Sequence, residues 1–322
     1  MNKRRFHWRW LAAPCTFLLA GCLGGTPRPA PPEAQLRAET ALKRGIRAEQ
    51  RGDTLEAESL LIQSVTTSAS IEDFPAQATA LINLARLYRL RHDLQRAETS
   101  IDQALTAAAD PALSAEAFYE KALIELAKND PTTALEWAQR AIATAKGDTL
   151  GSRLNLAGRI QLVLGKWDEA ETLAQKALDE NRSASQPEEE ANSLRILGIV
   201  ARNKKMHLLG GQFFQEALQI DTRIGKSGKI AVDLGELAAT AREAGNPREA
   251  ATWLERAYQV NLASGHLRQA EENQETLADI YTKVGDENKA TIARATARKL
   301  ESQISAQNPG SSSATTSPSS KP

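Results

Sequence analysis

From residue 38 to residue 304 the chain repeats one pattern of small, large apolar and polar positions. Small residues stand at Ala57, Ala97, Ala134, Ala170, Gly210, Ala250 and Ala290, spaced 40, 37, 36, 40, 40 and 40 residues apart. Twelve positions before each comes a second small residue: Gly45, Ala85, Ala122, Gly158, Gly198, Ala238 and Ala278. Seven positions after each comes a third: Ser64, Ala104, Ala141, Ala177, Ala217, Ala257 and Ala297. Two antiparallel helices joined by a short turn approach closely only where the facing side chains are small. The pattern therefore predicts seven helix pairs. The first column marks the contact on a helix A, and the other two lie two turns apart on one face of a helix B. Larger apolar residues fill in beside them, as with Leu84 and Tyr88, Leu197 and Phe214, Leu237 and Leu254, and Leu277 and Tyr281.

Polar positions between the columns predict the turns. Gly52, Asn129, Gly165, Gly245 and Gly285 fall at one site that asks for a left-handed backbone. Asp53, Asp93, Asp130, Asn246 and Asp286 follow as helix N-caps. Pro131 and Pro247 take the first helical position, where a missing N–H costs little.

The segments "RILGIVARNKKMHLLGGQFFQEAL" and "RLNLAGRIQLVLGKWDEAETLAQKAL" resemble the tetratricopeptide repeat, with its Leu-Gly in helix A and spaced alanines in helix B. The resemblance covers roughly residues 38–304. It implies an all-α fold, a right-handed superhelical α-solenoid of about seven helix-turn-helix repeats, here over residues 34–305. The usual period is about 34 residues, and the excess here falls entirely between helix B and the next helix A. Longer helices or longer links would both produce it, as in the extended-repeat branch of the family. Arg294 stands in the last repeat where Leu61, Ile101, Phe214 and Leu254 are apolar, as suits a terminal helix with no neighbour.

Composition adds an address. The net charge is zero, so no large basic surface for nucleic acid is announced. Residues 1–21, however, hold Lys3, Arg4, Arg5 and Arg9 and no acid. Without them 36 basic residues face 40 acidic ones, 40 − 4 against 40. This basic stretch runs into a short apolar one and then Leu19-Ala20-Gly21-Cys22, which resembles the lipobox of bacterial lipoproteins. The match implies a signal peptide over 1–21 and lipid on Cys22. It further implies a flexible tether over 22–33 and a place on the periplasmic face of the outer membrane, since Leu23 rather than aspartate follows. Cys15 is the only other cysteine, so no disulfide and no free thiol is expected after cleavage. The Ser/Thr/Pro-rich stretch 306–322 cannot build a core and is expected to be disordered.

Candidate chemistry is sparse. Trp167, Asp168, Glu169 and Glu171 crowd together like an acid/base cluster, yet they sit where a first helical turn favours acids. His7, His92, His207 and His266 show no metal-ligand spacing. "IGKSGK" at 224–229 lacks the first glycine of a phosphate loop, which here is Ile220. No catalytic residues, metal site or cofactor are expected. In a solenoid of the resembled family the concave wall is lined by helix A. Projected onto it are Thr79, Asn83, Arg86 and Arg89, then Asn155 and Arg159, then Asn192, Arg195, Arg202 and Asn203. Glu236, Glu243, Glu272, Glu275 and Asp279 continue it, so the wall reads as basic and amide-rich in the middle and acidic toward the C-terminus. Arg and Asn suit carboxylates and peptide backbones. The expected function is a non-enzymatic, lipid-anchored scaffold for a protein or peptide partner, pilotin-like in envelope assembly. One alternative is an adaptor for cell-wall hydrolases or proteases; another is an enzyme with an unrecognised site.

Overall fold

The computed structural model describes residues 32–108, 110–145 and 147–307. Cys22, the leader, the tether up to residue 31 and the tail beyond residue 307 lie outside the described residues. Among the described residues, fourteen α-helices pair in chain order. They are α1 (Glu33–Arg51) with α2 (Thr54–Ala69), α3 (Phe74–Leu90) with α4 (Leu94–Ala107), α5 (Pro111–Ala127) with α6 (Pro131–Thr144), and α7 (Leu150–Val163) with α8 (Trp167–Ser183). Then come α9 (Pro187–Asn203) with α10 (His207–Ile224), α11 (Ser227–Glu243) with α12 (Pro247–Ala263), and α13 (Leu267–Lys283) with α14 (Glu287–Gln307). No strand occurs among the described residues, and the array is an all-α solenoid of seven repeats running from residue 33 to residue 307. No described helix is long and apolar enough to cross a membrane.

The long period comes from long helices. From α11 to α13, 17-residue helices alternate with three-residue turns, so two helices and two turns span the 40-residue period. The shorter spacings come from α4 and α6, at 14 residues each about one turn shorter. Four of the links between repeats have the geometry of the turns within them, while α5 is entered from an extended Asp110 and α7 from a 3-10 turn at Gly147–Thr149. Glu72, Ser185, Gly225 and Gly265 carry positive φ between repeats, as Gly52, His92, Asn129, Gly165, Lys205, Gly245 and Gly285 do inside them. His92 and Lys205 hold this conformation without the glycine or asparagine that announces it elsewhere.

The caps divide. The carboxylates of Asp73, Asp93, Asp130 and Asp286 accept backbone N–H groups three residues on, at 3.1–3.2 Å. Asp53 and Asn246, expected to do the same, make no side-chain cap bond. Asp53 turns instead to Arg51 Nε at 3.0 Å.

All three small-residue columns are buried, and they fix how closely the helices approach. At Gly198 an added Cβ would stand 2.7–2.9 Å from the Phe214 ring, so the fully buried phenyl occupies the space that glycine leaves. Arg294, on the outer face of the last helix, is exposed and donates to Thr282. Helices A of neighbouring repeats touch (α1 with α3, α3 with α5, α7 with α9), while helices B make no comparable contact. The array therefore curves with the A helices on its inner side.

Candidate binding wall on the inner helices

The inner wall is braced by ion pairs that step from one helix A to the next. Arg86 on α3 reaches back to Glu49 on α1 at 3.3 Å, and Arg89 reaches forward to Glu120 on α5 at 2.6 Å. Arg153 on α7 pairs with Glu116 on α5 and lies over the Tyr119 ring. On α9, Arg202 pairs with Glu236 at 2.5 Å and Glu243 at 3.5 Å, both on α11. Arg195 binds Asp233 on α11 at 2.6 Å and Asp221 on α10. Lys226 pairs with Glu188 at 2.7 Å, and Lys229 Nζ donates to Asn192 Oδ1 at 3.3 Å.

Much of the wall projected from sequence is thus spent on holding repeats together. Asn83 is buried, donates to the Thr79 carbonyl at 2.8 Å and accepts from Arg86. Asn155 is buried too. It donates to the Glu189 carbonyl and carboxylate, both at 2.9 Å, and accepts from Ser193 at 2.8 Å. Arg195 is only 7% exposed and is a structural ion rather than a surface one. Asn192 accepts from Arg195 at 2.6 Å, and Asn203 is exposed and donates to its own helix at Ile199. Arg159 is exposed with no ion pair among the described residues, and so are Glu272, Glu275 and Asp279. Glu236 and Glu243 are the counter-ions of Arg202. The charge left for a partner is Arg159 in the middle and the acids of α13 at one end.

Buried charges missed by the sequence reading lie within apolar faces. Lys121 is 5% exposed and donates to Asp102 at 2.9 Å and Glu98 at 3.1 Å. Burial works against its ammonium, yet these carboxylates hold its pKa above the ordinary lysine value. Burial raises the Glu120 carboxyl despite Arg89. It lowers Lys229, with Arg195 and Arg159 adding repulsion. For Lys121 the signal was a charge where sister repeats carry Leu84, Leu197, Leu237 and Leu277. The cluster at the start of α8 also resolves: Asp168 and Glu171 each accept from Lys204 of the next repeat at 2.6 Å. Among the described residues no His, Cys, Asp and Glu side chains gather as a metal site.

A second surface lies where successive helices B meet the A-to-B turn. Glu98 with Lys128 and Glu171 with Lys204 fill this position at early junctions, at 3.0 and 2.6 Å. Glu58 with Arg91 does so at the first, at 2.5 Å. The equivalent residues are Gly211 with Ala244, then Ala251 with Val284. They leave grooves of about 380 and 710 Å³ on either side of α12. Leu208, 81% exposed, borders the first.

Two family models, both described as tetratricopeptide repeat, match residues 83–149 and 189–263. No curated protein matches the sequence. Solved structures of similar architecture include a signal transduction ATPase with a tetratricopeptide repeat sensor from Pyrococcus horikoshii. Its TM-score is 0.65 at 17% identity, over 84% of this chain and 42% of its own. This chain therefore spans less than half the length of that protein. A Rap protein complexed with competence and sporulation factor gives 0.60 at 14% identity, over 84% of this chain and 79% of its own. The pilF protein of Pseudomonas aeruginosa gives 0.50 at 19% identity, over 73% and 93%. At these identities the likeness shows the fold alone.

Proposed function

The chain is a tetratricopeptide repeat protein, and on that premise we propose that it is a lipid-anchored, non-enzymatic scaffold that holds a protein or peptide partner in the bacterial envelope. Repeats of this family serve as protein-interaction scaffolds. The observation that carries the reading to this chain is the inner wall, where rows of cross-repeat ion pairs stiffen a surface and leave Arg159, Glu272, Glu275 and Asp279 without an ion pair among the described residues. A rigid surface with a few unsatisfied charges loses little entropy on binding and selects its partner by charge. The anchor rests on the leader and on Cys22, whose acyl chains would hold the solenoid at the membrane and raise its local concentration. A pilotin-like role in assembling pilus, secretion or outer-membrane machinery fits such an anchored scaffold, and the fold shared with pilF is compatible with it.

Two measurements test the reading. In cell fractionation, Cys22→Ala should move the protein out of the membrane fraction; unchanged processing and membrane retention would end the lipoprotein half. In capture from crosslinked envelopes, Arg159→Glu with Glu275→Lys should weaken partner recovery about tenfold while the helical circular dichroism stays intact. Undiminished recovery would move the site off this wall.

A further inference from the structure

We propose that Asp221 and Asp233 share one proton across the junction of repeats 5 and 6, which makes this junction a pH-sensitive joint: tight in acid and loosened once both carboxylates ionise.

The repeats supply their own comparison. The same pair of positions joins other repeats by a neutral hydrogen bond. Asn181 donates to Ser193 at 3.1 Å between repeats 4 and 5, and Asn261 donates to Asn273 at 2.8 Å between repeats 6 and 7. Between repeats 5 and 6 both positions are aspartates, and both are fully buried. They lie on one edge of the Arg195 guanidinium, Asp233 on Nε at 2.6 Å and Asp221 on Nη2. That edge matches the two oxygens of a single carboxylate. Here two carboxylates divide it, and each keeps a second oxygen, Asp221 Oδ1 and Asp233 Oδ2, buried without a partner.

Two adjacent carboxylates out of contact with water resist ionising together. A solvent proton placed on Asp233 Oδ2 removes an orphan acceptor from a buried site. It also leaves one negative charge against the one positive charge of Arg195. The charged groups acting on Asp233 are Arg195 from α9 and Lys229 and Glu236 from α11 itself, with Asp221 from α10 on the same guanidinium. Lys229 in turn faces Arg159 on α7 and Glu188 and Glu189 on α9. Burial pushes the Asp233 carboxyl up to about 6, against the pull of Arg195 and Lys229. A carboxyl raised on folding binds more protons folded than unfolded. Its contribution is complete below the ordinary aspartate value near 4 and is lost as pH rises through about 6. Because Arg195 also holds Asn192, which accepts from Lys229, loosening this joint would shift the middle of the inner wall.

The test is thermal unfolding of the full chain and of Asp233→Asn from pH 4 to pH 8. An asparagine there mimics the protonated acid. The variant should melt higher than the parent at pH 7.5, and the gap should close by pH 4. A gap that stays constant with pH, or a variant that melts lower throughout, would overturn the proposal. Should the variant not fold, carboxyl-carbon NMR of the parent gives the answer directly. One aspartate titrating near 6 supports the shared proton, and every carboxyl titrating below 5 refutes it.

Discussion

Arg195 changes character between sequence and structure. Counted along the helix it belongs to a polar stripe, as Arg159 does. In the fold it is 7% exposed and held by two buried aspartates, while Arg159 stands in solvent. The pattern alone could not separate them, because their difference lies in Asp221 and Asp233, 26 and 38 residues away. Opposite consequences follow for the same substitution. Arg195→Glu places a third acid among two buried ones and should cost about 3–5 kcal/mol in chemical denaturation. Arg159→Glu should leave the denaturation midpoint within experimental error. Equal midpoints for the two variants would contradict the burial argument.

The helices themselves were largely legible. Small columns at fixed offsets predicted seven pairs, and every column residue is buried, because close helix approach tolerates nothing larger. Two features were not legible. One was whether the long period meant long helices or long links, since neither leaves an apolar mark of its own; helix length decides it. The other was which acids cap. Asp73 and Asp53 both precede helices, but only Asp73 accepts a backbone N–H, from Ala76 at 3.1 Å. Asp73→Ala should therefore lower stability by about 1 kcal/mol, while Asp53→Ala, which removes only an exposed contact with Arg51, should change it far less. Denaturant titration of the two variants measures the difference.

At the scale of the molecule, the ends are as informative as the middle. Inside the array, Phe214 and Leu218 cover the next repeat, whereas the corresponding positions of the last helix are the exposed Arg294 and Arg298. Arg37 and Arg44 are likewise exposed on the first helix. Charged residues at both ends oppose burial of either end against a second copy, as capping repeats do in solenoids. Replacing Arg294 and Arg298 together with leucine should increase concentration-dependent association in sedimentation velocity relative to the parent.

Function is the part that the repeats do not share. The inner wall offers Arg159 and the α13 acids; the grooves flanking α12 offer Leu208 and Trp253 on one side and Tyr281 among Arg248, Glu255 and Lys289 on the other. Site-specific photocrosslinking in intact cells separates the two, with the photoreactive residue placed at 159 or 275 on the wall and at 208 or 252 in the grooves. A discrete crosslinked partner is expected from the wall positions and none from the grooves. Crosslinks from 208 and 252 alone, with the wall silent, would contradict it.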